Sequence, residues 1–307
     1  MMKAVLCKKY GPPTVLELAE VPKPRIKQNQ ILVKVKATAV NSADVRIREL
    51  KVGPFWIRLI MKVVLGFFRP RRSILGSSFS GIIEEIGKNV PDRQVGQSIF
   101  GSTGLRMGAY AEYLVLPKNA TFSIKPTSAT FEEAAALPFG GTTALHFYQK
   151  TQISVQKGLD VLIYGATGAV GVMAVELAKY YQAHVLSVCS HEGESLARKL
   201  GSDEIIVYTE KPITGISKKF DIIFDAVGRI SKKECGHLLK ENGKFLTVGG
   251  LEMARETKGQ LNLLKELFDQ KKIHANIDKV YPLNEIIEAH AYVDTGRKKG
   301  NVVIKVV

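Results

Sequence analysis

Gly165-Ala166-Thr167-Gly168-Ala169-Val170-Gly171 is the stretch whose reading decides the fold. In front of it, Asp160-Val161-Leu162-Ile163-Tyr164 is an apolar run of the kind buried as a parallel strand. Behind it, Val170, Ala174, Leu177, Ala178 and Tyr181 recur at helical spacing. Strand, small-residue turn and helix in succession are the setting in which a glycine motif binds a dinucleotide. Small residues let the backbone turn tightly off the strand, and a pyrophosphate can then reach the unpaired N–H groups of the helix start, here those of Gly168, Ala169 and Val170. In the G-x-G-x-x-G register the key positions are Ala166, Gly168 and Gly171, so alanine stands at the first. A buried turn that merely requires small residues is the bland alternative, and the flanking elements weigh against it.

Outward from this turn, strands and helices alternate. The strands are Val161–Tyr164, His184–Cys189, Glu204–Tyr208, Phe220–Asp225 and Lys244–Val248; the helices are Val170–Tyr181, Gly193–Leu200 and Ser231–Lys240. Such alternation predicts a doubly wound parallel sheet. Two further helices precede it, Phe131–Leu137 with Thr130 as N-cap, and Thr142–Lys150. After it come a helix Leu261–Gln270, extended Ile273–Tyr281, a helix Leu283–Tyr292 and a closing strand Asn301–Val307. Residues 1 to about 125 read differently. Short strands (Lys3–Cys7, Leu16–Leu18, Ile31–Ala37, Gly81–Ile86, Ser98–Phe100, Ala111–Leu116) are separated by Gly, Pro and Asn breaks, as in a barrel or sandwich.

The totals bound the class. A chain of 307 residues, 45% hydrophobic and 24% charged, has enough apolar material for two domains. Cys7, Cys189 and Cys235 are scattered and odd in number, against a disulfide framework and with no C-x-x-C or C-x-x-H pattern for zinc. Met1–Lys9 lacks a long apolar core, so no secretory leader is expected and the expected location is cytoplasmic. The net charge of +15 favours polyanionic neighbours. The lysines are spread along the chain, however, and no aromatic-studded basic sheet signals RNA binding.

Several motifs stand in one order: Ala39-Val40-Asn41-Ser42-Ala43-Asp44, Gly76-Ser77-Ser78-Phe79-Ser80-Gly81, Gly108-Ala109-Tyr110-Ala111-Glu112, Ala135-Ala136-Leu137-Pro138 with Thr142-Thr143-Ala144, the 165–171 turn, Asp225-Ala226-Val227-Gly228, Val248-Gly249-Gly250, Tyr281-Pro282-Leu283 and Gly300-Asn301-Val302-Val303. In this the chain resembles the zinc-independent medium-chain dehydrogenase/reductase superfamily, specifically its quinone oxidoreductase-like (zeta-crystallin-like) branch. The resemblance implies an α/β fold in which a Rossmann domain (126–272) is inserted into a GroES-like catalytic domain (1–125, with a C-terminal return, 273–307), the active site lying in the cleft. It implies an NAD(P)H-dependent oxidoreductase acting on a small-molecule quinone or α,β-unsaturated carbonyl. A competing reading is a nucleotide-binding protein with little catalysis whose basic face engages RNA or a membrane surface. Zinc enzymes of the superfamily carry a cysteine and a Gly-His-Glu where this chain has Asn41–Asp44 and Ser77-Ser78-Phe79, so no metal is expected. Without a Lewis acid, what remains is hydride transfer to an activated C=C or a quinone, with the protein supplying orientation and a hydrogen-bond donor.

By resemblance, Asn41 and Asp44 are the residues nearest the reacting centre. Asn41 donates to a substrate oxygen or orients the nicotinamide; Asp44 holds a water or a ribose hydroxyl. Turn chemistry at a strand end is the alternative for both. Thr143 and Asn301 match residues that reach the cofactor in this branch, and Tyr208 one that flanks the adenosine phosphate. NAD enzymes place an acid at the end of the second strand, and counting from the turn that position is Ser190, which tolerates a 2′-phosphate. This favours NADPH over NADH. Gly193 at the place of a helper Lys or Asn, and Glu192 and Glu194 close by, pull the other way, and His191 is a further neighbour. Val227 and the pair Gly249 and Gly250 end strands on the side where such sheets bind ligands, although ordinary strand-to-helix turns are the alternative.

Two stretches carry separate expectations. Residues 54–72 are strongly apolar, contain the only tryptophan, Trp56, and end in Arg69-Pro70-Arg71-Arg72. The resemblance makes them the apolar wall of the substrate pocket; weak contact with a membrane surface is the alternative. Leu251–Gln260 shows no period-two pattern, so the Rossmann sheet should stop one strand early at Lys244–Val248. The usual edge-strand dimer is then in doubt, with the loop folded over the edge or dimerisation through other strands as its replacements.

Overall fold

The computed structural model describes residues 1–51 and 55–306, the side chains of Phe55, Trp56 and Arg58 excepted. Its elements, in chain order, are β1 (Met2–Cys7), β2 (Leu16–Val21), β3 (Gln30–Val40), α1 (Ser42–Glu49), α2 (Phe55–Leu65), β4 (Ser78–Ile86), β5 (Ser98–Ser102), β6 (Tyr113–Pro117), β7 (Thr121–Ile124), α3 (Phe131–Tyr148), β8 (Asp160–Tyr164), α4 (Ala169–Tyr180), β9 (His184–Cys189), α5 (Glu194–Lys199), β10 (Glu204–Val207), β11 (Phe220–Asp225), α6 (Lys232–Cys235), β12 (Leu239–Thr247), α7 (Lys258–Asp269), β13 (Ile277–Pro282), α8 (Ile286–Asp294) and β14 (Asn301–Lys305).

A five-stranded parallel sheet runs in the order β10-β9-β8-β11-β12. The strand before the glycine turn, β8, is therefore central. From β8 the chain builds β9 and β10 on one side and then crosses back to β11 and β12 on the other, which makes the ends of β8 and β11 the switch point of the sheet. Val161, Leu162, Ile163, Ile223 and Phe224 are fully buried, as a strand covered by helices on both faces requires. Among the described residues the sheet ends at β12 with no sixth strand. The loop that follows makes its side-chain contacts elsewhere: Glu252 bonds His146 of α3 at 2.8 Å and also meets Lys150. The Glu256 carboxyl, pushed up by burial, is bonded by Ser102 at the end of β5.

The second sheet has seven strands, in the order β13-β14-β3-β4-β5-β7 with β6 alongside β3. Its long central strand, β3, pairs with β4, β6 and, at its far end, β14. The last strand of the chain is thus built into the N-terminal sheet. A short β1–β2 ribbon packs beside it.

Three local expectations are corrected. Phe131–Leu137 and Thr142–Lys150 are one helix, α3, with Pro138 inside it. Proline removes an N–H and normally breaks a helix. Here Ala134–Pro138 and Gly140–Leu145 are buried on both sides of the proline, and Thr142 donates its hydroxyl to Pro138 O at 2.7 Å, so packing overrides the break. The helix expected over Ser231–Lys240 stops at Cys235, because Leu239 already pairs with Phe220 of β11. Asn41 and Asp44, for which turn chemistry at a strand end was the alternative, lie instead at the start of helix α1.

Candidate cofactor and substrate cleft

The turn after β8 is dictated by contacts that a side chain would occupy. Gly165 has φ +75°, and a Cβ there would lie 2.5 Å from Val227 Cγ1. A Cβ on Gly171 would lie 2.1 Å from Gly165 O, so α4 can approach its own turn only with glycine at that position. The glycine with the left-handed backbone is Gly165, one residue before the alanine that occupies the first motif position. Gly168 is the N-cap of α4 and offers no side-chain cap. The N–H groups of Ala169 and Val170 begin the helix without intrahelical acceptors and lie at the positive end of its dipole.

Around this turn the structure gathers most of the sequence-derived positions. Val227 packs on Gly165. It follows Asp225, a fully buried carboxylate that accepts N–H bonds from Val227, Gly228, Arg229 and Ile230 and a hydroxyl bond from Thr247. That knot holds the ends of β11 and β12 together, with Gly228 seated against Gly249 and Gly250 exposed beside them. On the other side, Ser190 ends β9 and caps the short turn to Gly193, and a Cβ on Gly193 would lie 2.7 Å from Thr167 Oγ1. Tyr208 follows β10, donates its N–H to Cys189 O at 3.1 Å and sets its ring 6.3 Å from that of Tyr164. Gly140 of α3 packs directly on Ala169, bringing Thr143 into the neighbourhood of the turn; the Thr143 hydroxyl donates to Phe139 O at 2.6 Å. Phosphate groups suit this surroundings: free N–H groups, a positive helix end and room that a Cβ would fill.

Sequence reasoning missed a cation at the Ser190 end. Glu192 is held below the usual carboxylate range by the Ser190 hydroxyl first and, more weakly, by the Lys299 ammonium. The Lys299 ammonium, from the C-terminal tail, donates to Arg297 O at 2.8 Å and exerts its charge on Glu192 and Cys189, which flank Ser190. Its neighbour Lys298 donates to Gly300 O at 2.6 Å and is pushed down to about 8 by burial. The signal available was the pair Lys298-Lys299 directly ahead of Gly300-Asn301. His191 is occupied differently, 3.5 Å from Glu210.

The Asn41 corner is built from side chains. Asn41 caps α1: its Oδ1 accepts from the N–H groups of Ala43 and Asp44, and its Nδ2 donates to Ser77 Oγ at 2.9 Å. Asp44 closes the capping box by accepting the Asn41 N–H at 3.1 Å. Its carboxyl is fully buried, and burial pushes its pKa up to about 7 against the opposing hydrogen bonds from Asn41, Tyr110 and Ser77. Asp44 Oδ1 and the Tyr110 hydroxyl are both buried without a hydrogen bond, and burial first and the Asp44 carboxyl second push the Tyr110 pKa up. The far end of α1 is locked by Arg48, which is fully buried. It donates to Gly11 O at 3.0 Å, Glu49 at 2.6 Å, Asp294 at 2.7 Å and His290 Nδ1 at 3.0 Å. Burial and this guanidinium push His290 down to about 3. The neutral ring, edge-on to Tyr110 at 5.5 Å, then carries its proton on Nε2. Asp44 thus sits beneath the corner, not on an open surface where it would hold a water or ribose hydroxyl.

Backbone joins the corner to the turn. Strand β14 pairs with β3 through Val302↔Val40, a register that continued by one residue sets Asn301 opposite Asn41. Gly300, one residue earlier, bridges to Gly168 and donates its N–H to Thr167 O at 2.8 Å. Asn301 itself is buried, its amide donating to Ala275 O at 2.7 Å. The side chain of Trp56 lies outside the described residues, as does its assignment to a substrate pocket. Among the described residues no cluster of three or more His, Cys, Asp or Glu could hold a metal ion, and none of their helices is long and apolar enough to cross a membrane.

Two family profiles match the chain: "Alcohol dehydrogenase GroES-like domain" over residues 27–126 and "Zinc-binding dehydrogenase" over residues 169–277. Over its full length the chain is 30% identical to NAD(P)H oxidoreductase RTN4IP1, mitochondrial, of Mus musculus, covering 90% of that protein. It is 28% identical to NADPH-dependent alkenal/one oxidoreductase, chloroplastic, of Arabidopsis thaliana, over 99% of this chain and 79% of the relative. The solved quinone oxidoreductase of Coxiella burnetii superposes with a TM-score of 0.87 at 27% identity, covering 100% of this chain and 99% of that one.

Proposed function

The chain belongs to the quinone oxidoreductase-like branch of the medium-chain dehydrogenase/reductase superfamily, and on that premise we propose that it reduces a quinone or an α,β-unsaturated carbonyl with a hydride from NADPH. The observation that carries this reading is the backbone link just described, in which Gly168 meets Gly300 and β14 pairs with β3 up to Val302↔Val40, next to Asn301 and Asn41. That short link is what supports assigning the turn and the buried Asn41 amide to one site. Residues 1–125 with 273–307 form the catalytic unit and 126–272 the cofactor unit, a division supported by the membership of β14 in the N-terminal sheet.

Reduced nicotinamide, when bound, supplies the hydride. The N–H groups of Ala169 and Val170 bind the pyrophosphate, that of Gly168 being spent on Gly165 O at 3.1 Å, and Val227, Gly249 and Gly250 border the path toward the nicotinamide. Ser190 and Tyr208 receive the adenosine end, with Lys299 adding the positive charge that a 2′-phosphate needs. Thr143 keeps acceptor capacity on its hydroxyl oxygen and orients the ring from α3, and Asn301 fixes the tail against the turn.

Asn41 is the catalytic residue. One amide hydrogen is spent on Ser77; the other is directed to a substrate oxygen and stabilises the negative charge that gathers there. Asp44 is a positioning residue whose carboxylate holds the Asn41 N–H and with it the start of α1. Solvent returns the proton to the product. The test is NADPH oxidation followed at 340 nm with a panel of quinones and enones. Steady turnover with at least one member is expected; cofactor binding without turnover on any of them overturns the reading.

A further inference from the structure

Helix α2 and the turn after it leave an apolar stripe uncovered. Leu59, Ile60, Val63, Val64, Phe67 and Phe68 are all exposed, from 48% at Val64 to 86% at Phe68. Leu59, Ile60, Val63 and Val64 come in pairs four residues apart, one side of the helix, and Phe67 and Phe68 follow in the turn after Gly66. The helix is anchored by its other side: Leu65 is buried, and Met61 packs on the same core. The turn is fixed by Gly66 N–H to Lys62 O at 2.9 Å, Arg71 N–H to Leu65 O at 2.6 Å and the Tyr10 hydroxyl to Gly66 O at 2.8 Å. The stripe is therefore held outward by a structured anchor, and an apolar run of this size calls for a cover.

Charge decides which cover fits. From Leu50 to Ile83 the chain has no Asp or Glu, yet it carries Lys51, Arg58, Lys62, Arg69, Arg71 and Arg72. Arg69, Arg71 and Arg72 are exposed at the end of the stripe, and among the described residues none has a carboxylate within ion-pair distance. Arg71 and Arg72 share a groove with Arg106 and Ser73. A second copy of the chain is a poor occupant, since a two-fold contact would set this cationic patch against itself. An apolar surface bordered by phosphates satisfies both halves.

We propose that this face docks on an anionic phospholipid surface. The 59–68 stripe enters the boundary between headgroups and acyl chains, and Arg69, Arg71 and Arg72 bind lipid phosphates. The docking is peripheral and does not depend on the enzymatic reading.

The test is flotation of the full chain with phosphatidylcholine vesicles containing phosphatidylglycerol at about 30%, against pure phosphatidylcholine. Each phosphate contact contributes on the order of five-fold, so the anionic vesicles should bind at least ~10-fold more protein, and raising salt to about 0.5 M should remove most of that excess. The double variant Val63→Asp with Phe68→Asp, and separately Arg71→Glu with Arg72→Glu, should each lower binding at least ~10-fold while NADPH affinity stays within about two-fold. The salt titration of the unaltered chain serves should a variant fail to fold. Absence of binding to anionic vesicles, binding indifferent to both salt and variants, or a solution dimer that Val63→Asp dissolves without any vesicle binding would each overturn the proposal. Vesicle binding is read without turnover, so an inactive quinone and enone panel leaves this result standing.

Discussion

The turn at Gly165–Gly171 and the corner at Asn41–Asp44 are linked through Gly300 and β14, and they are made of different materials. The turn is backbone: free N–H groups at the start of α4, and spaces where a Cβ would collide with Gly165 O or Val227. The corner is side chain: an amide, a carboxyl, two hydroxyls and, farther in, an imidazole and a guanidinium, brought from β3–α1, the Gly76–Ser78 segment, the Tyr110 loop and α8. A backbone site tolerates few residue types but asks little of distant neighbours. A side-chain site accepts many residue types, provided that each polar group finds its partner.

That contrast breaks first at Gly171. Gly171→Val puts carbon atoms where Gly165 O now sits, so NADPH binding should fall by ~1000-fold or more, about 4 kcal/mol, in a fluorescence titration. Retained affinity would mean that the turn is not the cofactor site.

The corner is sharpened by pH. The Asp44 pKa, raised from 3.8 to about 7, adds stability that is complete below the unfolded value and lost as pH rises through the folded one. His290, lowered to about 3, acts in the opposite sense: its contribution is complete above 6.5 and lost as pH falls toward 3. The two offset one another between about pH 4 and 6.5. Comparing the parent with Asp44→Asn removes the histidine, which both share. The parent's stability relative to the variant should then grow by about 1.4 kcal/mol for each unit of acidification from pH 7 toward pH 4, in urea titrations at each pH. A flat difference would show an ordinary carboxyl at position 44.

Asn41→Ala removes a helix cap and the bond to Ser77. We expect a loss of about 1–2 kcal/mol in stability and a fall in kcat, with NADPH affinity nearly unchanged. An equal fall in cofactor affinity would erase the distinction between the two ends. Ser190→Asp is the smallest change, a like charge beside the 2′-phosphate. It should weaken NADPH relative to NADH by roughly ten-fold, about 1.4 kcal/mol. Unchanged preference would place the 2′-phosphate elsewhere.

Most of the candidate cofactor end could be proposed from the sequence because its signals are local. Strand β8, the small residues at 165–171 and the period of α4 lie within a span of about twenty residues, and Ser190, Val227 and Gly249 follow by counting along a regular alternation. Lys299 escaped that count, since its charge acts on Glu192 only after the chain has crossed back into the N-terminal sheet. At the corner, Asn41 and Asp44 were singled out, but as line-of-cleft residues. Their roles as reciprocal caps depend on α1 forming at all, and Ser77 and Tyr110 enter from segments tens of residues away.

By itself the sequence determined the parallel sheet, its glycine turn, the end of that sheet at β12 and the short-strand character of the N-terminal part, because period, glycine placement and strand-breaking residues act through neighbours along the chain. Tertiary structure alone decided that α3 runs through Pro138, that Asp44 lies buried with a pKa of about 7, that β14 joins the corner to the turn, and that the stripe from Leu59 to Phe68 faces outward. Each of these depends on which distant residue fills the space beside a group, whether the packing around a proline, the desolvation of a carboxyl or the absence of a neighbour over an apolar side chain.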